Sequence, residues 1–219
     1  MEITGRVGEV RATVGSEEVM RQGRYAEALV SELQGRFFYL ALNNRLFHSF
    51  VKTVTIAATH NTPIAAATAT PVLGLFNPIG NSKAAAIVRV NTHSTSGTPA
   101  GGQFVLNALQ CTTAPTTAAG NTFNGLLSAS ASPQGSTMRT FNNTALTGML
   151  PVVGNEVALI GGGASAIALG VSTSPNGEDL GGAIIVPPGY LLALMAGTGA
   201  GTTWVVNASW TWAEVDWPL

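Results

Sequence analysis

The sequence predicts an all-β chain: an antiparallel β-sandwich or jelly-roll body preceded by an extended, partly helical N-terminal arm. Three observations predict it. Apolar and polar residues alternate at period two through the late segment TTWVVNASWTW. About ten short apolar segments are separated by Gly, Pro and Asn turn signals. Charge crowds into the first quarter of the chain and almost vanishes afterwards.

The first quarter sets the arm apart. Residues 1–52 hold seven basic side chains (Arg6, Arg11, Arg21, Arg24, Arg36, Arg45, Lys52) and six acidic ones, 13 of the 21 charges in 219 residues. The composition shift at Lys52 places the boundary there: arm 1–52, body 53–219. Ala26, Leu29, Val30 and Leu33 fall near a helical period, which Gly35 would end. Phe37, Phe38, Tyr39, Leu40 and Leu42 then form an apolar patch between Arg36 and Arg45. This patch reads either as an element lying on the body's own core or as an anchor for a neighbouring subunit or another protein. Mixed charge beside clustered aromatics suits an interface anchor, and on that reading Arg6, Arg11, Arg21, Arg24, Phe37, Phe38 and Tyr39 are the candidate docking residues.

The body's elements follow in order. Candidate strands are Val51–Ala57, Val72–Phe76, Ala86–Asn91, Phe104–Leu109, Thr137–Phe141, Val157–Ile160, Ile167–Val171, Ala183–Val186 and Tyr190–Ala196. Asn77-Pro78, Gly80-Asn81, Gly101-Gly102 and Pro187-Pro188-Gly189 supply turns between them. CTTAPTTAAGNTFNG reads as one long surface loop. In the last strand Trp204, Val206, Ala208, Trp210 and Trp212 share one face, and Val205, Asn207, Ser209 and Thr211 share the other. Three tryptophans on one face of one strand read as core rather than as a sugar platform.

Composition excludes several classes. A net charge of −1 gives no overall footprint for nucleic acid or an anionic membrane. Cys111 is the only cysteine and forms no intramolecular disulfide. The start, MEITGRVGEVRATVG, lacks the apolar core of a secretory signal. The longest apolar run, IIVPPGYLLALMAG, is broken by Pro-Pro-Gly and is too short for a membrane helix.

Material for catalysis is thin. His48, His60 and His93 have no metal-ligand spacing; His48 reads as a packed or interface residue and the other two as exposed. There is no G-x-S-x-G elbow, no Walker sequence, and no dinucleotide fingerprint. Glu178-Asp179 lacks the oxygen-rich loop that calcium needs. Glu214 and Asp216, two apart on a strand, would make a carboxyl pair only if a cleft held them. Cys111 has no neighbouring base and reads as passive. The expectation is a non-enzyme with no catalytic residue, no cofactor and no metal.

Some modules are familiar. GLFNPIGNSKAAAIVRVNTHS, GGAIIVPPGYLLALMAG and NASWTWAEV resemble segments of tailed-bacteriophage jelly-roll capsid decoration, or cement, proteins. Arg21-Gln22-Gly23-Arg24-Tyr25 is similar to a stretch of the arm in that group, and Leu75 to Lys83 is similar to its L-x-N-P-x-G-S-G-K module, with Asn81-Ser82 in place of Ser-Gly. Ile184 to Gly189 matches its I-I-V-P-P-G hairpin, and Trp212-Ala213-Glu214-Val215 its terminal W-x-E-V. The modules cover about a third of the chain. The resemblance implies a virion protein on the phage head surface, assembled in the host cytoplasm. It would stabilise contacts between capsomers, with the major capsid protein and copies of itself, as dimer or trimer, for partners. A tail or receptor-binding module that recognises glycans is the alternative.

Overall fold

A computed structural model describes residues 37–61, 69–97, 102–116, 120–124, 136–148, 150–162, 176–197 and 204–217. The chain divides into two units, Met1–Phe38 and Tyr39–Leu219. The second begins with most of a short helix, α1 (Phe38–Leu42), which Asn44 ends at φ 54. Asparagine tolerates that left-handed conformation better than most residues. Then come β1 (Leu46–Thr55), a 3₁₀ turn (Ala58–Asn61), β2 (Leu73–Phe76), β3 (Lys83–Gly97) and β4 (Gln103–Thr113). The chain continues through β5 (Phe123–Asn124), β6 (Arg139–Asn142), β7 (Leu150–Gly162), β8 (Asn176–Val186), β9 (Tyr190–Gly197) and β10 (Trp204–Asp216).

The strands form two five-stranded sheets, ordered β5-β1-β10-β3-β8 and β6-β2-β9-β4-β7. Every pairing is antiparallel. The body is therefore an all-β antiparallel sandwich. Its main core joins the two sheets: Phe47 and Val54 from β1, Ile87 and Val90 from β3, Leu106 from β4, Leu192 and Leu194 from β9, and Trp204, Trp210 and Trp212 from β10. The tryptophans face inward as the alternation predicts. Phe104 packs tilted against Trp204 with centroids 4.7 Å apart, and Phe47 stacks on Trp212 at 5.8 Å.

The two sheets differ on their outer sides. In the second sheet, Phe76, Leu109, Cys111, Phe141, Leu191, Ala193 and Met195 form another apolar cluster with Ala69 and Leu146. The segment after β6 lies in this cluster and is tied down by Asn143 N–H to Val72 O (3.1 Å) and Leu146 N–H to Ala69 O (2.9 Å). Gly74 lets Phe141 in: a Cβ there would sit 3.2 Å from that of Phe141. β9 is thus buried on both faces, which is why its sequence, YLLALMAG, runs apolar without alternating. The outer side of the first sheet carries no such second cluster among the described residues.

The sheet begins before the composition boundary. β1 starts at Leu46 and carries Lys52 within it, so residues that charge assigned to the arm belong to the body. The expected long loop is also shorter than its sequence reads: Cys111–Thr113 end β4, and Phe123–Asn124 add a two-residue strand to the edge of β1. Within β8 the expected Ala183–Val186 is the second half of a longer strand. Leu180 to Ala183 bulge out opposite Val88, with Gly181 and Gly182 at positive φ. Ile167–Val171, and the helix expected before Gly35, lie outside the described residues.

Candidate functional site

Three modules far apart in sequence meet in one polar cluster. Asn77, fully buried, follows β2 and holds the turn after β8. Its amide donates to Lys83 O (2.8 Å) and Val186 O (2.9 Å). Its backbone N–H donates to Tyr190 O and its carbonyl accepts from Gly189 N–H, both at 2.9 Å. Gly189 sits at φ 81, a conformation that Pro187-Pro188-Gly189 reaches without Cβ strain. Asn81 Nδ2 donates to Asn77 Oδ1 (2.7 Å) and to Thr137 Oγ1 (2.9 Å). Thr137 Oγ1 in turn donates to Glu214 (3.0 Å).

Glu214 is the centre of this cluster and has no exposed surface. Its Oε1 accepts from Ser136 Oγ (2.6 Å) and Thr137 N–H (3.0 Å), and its Oε2 from Thr137 Oγ1 (3.0 Å) and Lys83 Nζ (3.4 Å). Two donors on each oxygen leave little capacity to take a proton from a substrate. A buried carboxylate satisfied in this way fixes structure. It joins the start of β3, the approach to β6 and the end of β10. Asp216 is exposed and pairs instead with Arg45 at 3.3 Å, so the two carboxylates have separate partners.

The second feature lies on the outer side of the first sheet. Antiparallel register aligns side chains in cross-strand rows there: His48, Thr211 and Arg89; Phe50, Ser209 and Asn91; then Asn207 beside His93. His48 Nδ1 meets Thr211 Oγ1 at 2.9 Å, and burial pushes the His48 pKa below 6.5. Asn91 Nδ2 donates to Ser209 Oγ (3.2 Å). Between β1, β10 and β3 the surface sinks into an open depression of about 200 Å³, walled by Phe50, Lys52, Asn91, His93, Asn207 and Ser209.

A β-bulge shapes that depression. The β1–β10 register shifts between Val51 and Val54, and Thr53 there takes φ 55. A β-branched residue in that region is strained. Its N–H donates to Asn207 Oδ1 at 2.7 Å, which fixes the amide orientation. Bulges commonly re-aim side chains beside binding sites.

The expected docking residues are placed only in part. Arg6, Arg11, Arg21 and Arg24 lie outside the described residues. Phe37 is half-buried and Phe38 is 43% exposed; nothing is described of the Tyr39 side chain. Leu42, one turn after Phe38, is 51% exposed. Two histidines expected to be exposed are not. His60 is buried, with Nδ1 accepting from Ala57 N–H (2.9 Å) and Nε2 donating to Asn143 Oδ1 (2.8 Å). His93 is half-buried in the depression wall. Cys111 is buried beneath the second sheet's outer cluster, and desolvation pushes its pKa up to about 11, so its thiol is unreactive. Asp179 closes a turn by accepting from Gly181 N–H at 3.0 Å. No three His, Cys, Asp or Glu side chains among the described residues gather as metal ligands.

Sequence reasoning missed Asn77, Asn81, Ser136 and Thr137, although the Asn-Pro turn marked the first. It also missed Asn91, Asn207 and Ser209 as a group, since each was only the polar half of a strand. Compared with family models, curated proteins and solved structures, the chain matches none.

Proposed function

We propose that this chain is a jelly-roll virion structural protein, a decoration or cement protein that binds the outer surface of a phage head. Strand order supports the jelly-roll reading. With short β5 and β6 set aside, the eight remaining strands, renumbered in chain order, stand as 1-8-3-6 and 2-7-4-5. Strands 1 and 8, 2 and 7, 3 and 6, and 4 and 5 are each paired, the pattern made by wrapping one long antiparallel hairpin into two sheets. The family resemblance adds weight at particular residues: the modules that carry it, around Asn77, Gly189 and Glu214, meet in one hydrogen-bonded cluster.

The observation that carries the functional reading is a pair of exposed apolar side chains on α1. Phe38 and Leu42 stand exposed on α1, directly after a segment holding most of the chain's charge. Exposed apolar anchors suit docking onto the major capsid protein or a second copy, and so do the mixed charges that precede them in the sequence. The role is adhesive rather than enzymatic: the buried carboxylate of Glu214 is saturated by Ser136, Thr137 and Lys83. Mass spectrometry of purified heads and tails tests the proposal. The protein should appear in mature heads; absence from them ends it. A truncation that respects the sheet removes residues 1–36, because cutting at 52 would take seven of the ten residues of β1. The shorter chain should fold and fail to enter particles.

A second reading, a glycan-recognising tail or receptor-binding module, is favoured by one observation: the depression between β1, β10 and β3 is walled by amide, hydroxyl and imidazole groups beside an exposed aromatic ring.

A further inference from the structure

The depression on the first sheet has a chemistry that narrows its ligand. Its walls carry the amides of Asn91 and Asn207, the Ser209 hydroxyl, the His93 imidazole, the Lys52 ammonium and the Phe50 ring, and no carboxylate. Its floor is formed at Val51, Thr92 and Ala208. We infer that it binds an acidic saccharide: a ring whose hydroxyls meet Asn207 and Ser209, whose C–H groups lie against the exposed part of Phe50, and whose carboxylate is drawn to Lys52. This inference rests on the glycan-recognising reading.

Each group is prepared for that role. Thr53 N–H occupies Asn207 Oδ1, so the amide presents its Nδ2 hydrogens, which have no partner among the described residues. Asn91 Nδ2 occupies the Ser209 oxygen, which directs the hydroxyl to donate. Amides and hydroxyls with fixed donor roles discriminate sugars by their hydroxyl geometry. Phe50 is 42% exposed, and Phe123 stacks on it with centroids 5.2 Å apart, so its apolar wall is held in place. Lys52 Nζ lies 5.4 Å from the Phe50 centroid and has no carboxylate partner among the described residues. An anion entering here meets an ammonium that, among the described residues, is engaged by the Phe50 ring alone.

The count of charges separates the ligand classes. A nucleic acid or other polyanion requires several phosphate-binding cations, and the walls supply one lysine. A purely apolar ligand would suit the carbon surface that dominates the depression but would leave the Nδ2 hydrogens of Asn207 without a partner. A neutral sugar would use the amides and leave Lys52 idle. An acidic sugar uses every wall.

The test uses the full chain with two pairs of probes, each an acidic oligosaccharide and its neutral counterpart: sialyllactose against lactose, and a glucuronic acid oligomer against a glucose oligomer. Calorimetry and saturation-transfer NMR read the binding. An acidic member should bind about tenfold more tightly than its neutral partner, a difference near 1.4 kcal/mol. Lys52→Gln should remove the preference while keeping the weaker neutral binding. Asn207→Ala should weaken both members of a pair, with Phe50→Ala as the second variant if the loss of the Thr53 contact disturbs the bulge. Equal affinity for acidic and neutral members, or binding untouched by all three variants, overturns the inference while leaving glycan recognition standing. No binding of any probe sinks both.

Discussion

β9 and β10 are central strands of opposite sheets, yet they live in different surroundings. β9 is buried from Leu191 to Gly197, with alternate side chains entering the main core and the outer cluster of its own sheet. β10 buries one face, from Trp204 to Trp212, and turns Asn207, Ser209 and Thr211 toward the outer side. Its outward groups find partners sideways: Thr53 N–H for Asn207, Asn91 for Ser209 and His48 for Thr211. The difference separates two uses of a sheet. A sheet covered on both sides offers stability and little else. A sheet with one uncovered side can hold polar groups in fixed rows on a rigid frame, which recognition requires.

The comparison breaks most readily at the core. Trp210→Ala should destabilise the body by about 3–5 kcal/mol, because a fully buried ring leaves a large cavity. Leu191→Ala should cost about 2–4 kcal/mol, although Leu191 faces away from the main core. Chemical denaturation reads both. A Leu191→Ala loss near zero would mean that the outer side of the second sheet is open, and the contrast between the sheets would collapse.

Acid and alkali act on different sheets. Cys111, under the second sheet's cover, has its folded pKa raised to about 11 from 9.0. The thiol's contribution to stability is fully present below pH 9 and lost as pH rises through about 11, because the unfolded chain ionises first. His48, on the first sheet, is shifted the other way, below 6.5, by burial. Its contribution is present above pH 6.5 and is lost as pH falls, because the unfolded chain takes the proton first. Melting curves of Cys111→Ala should lose part of the alkaline decline and those of His48→Gln part of the acid decline. Each variant should leave the other limb unchanged.

Much of this was legible in the sequence, for reasons tied to particular residues. The alternation Trp204-Val206-Ala208-Trp210-Trp212 reports a one-sided strand directly, because burial depends on residue type and period. The unbroken YLLALMAG likewise reports a strand covered twice. The sequence shows only the second half of β1, as Val51–Ala57, and charge sets the arm's boundary at Lys52; yet Lys52 is an outward side chain, free to be charged within a strand. β5 is two residues long and carries no pattern at all. The polar sites were the least legible. Glu214 meets Lys83 and Thr137 across separations of 131 and 77 residues. The depression draws side chains from three strands, so only register brings them together, and register is a property of pairs of strands.

The indole N–H groups sharpen the contrast within β10. Trp204 Nε1 donates to Ser94 Oγ at 3.0 Å, whereas those of Trp210 and Trp212 have no partner among the described residues. A buried donor without a partner is a standing penalty, and removing it recovers part of the desolvation. Trp204→Phe should therefore be worse than Trp212→Phe by about 1–2 kcal/mol, since it also orphans the Ser94 hydroxyl. Equal losses would mean that the buried donors are satisfied and that ring volume alone decides.

The smallest expected effect lies at the bulge. Thr53 holds φ 55 at the rim of the depression, and a β-branched side chain there stores about 1–2 kcal/mol of strain. Thr53→Gly relieves that strain and keeps the N–H that Asn207 needs; the freer unfolded glycine offsets about 0.5–1 kcal/mol of the gain. The net result should be a stabilisation of about 0.5 kcal/mol, a rise of one or two degrees in melting temperature for a body of this size. Relief of that strain by the smaller residue would support the proposed use of the depression for recognition. A melting temperature that falls instead would place the Thr53 side chain among the body's stabilising contacts. The uncovered side of the first sheet would then be held together like the covered sides, without a conformation kept at stability's expense.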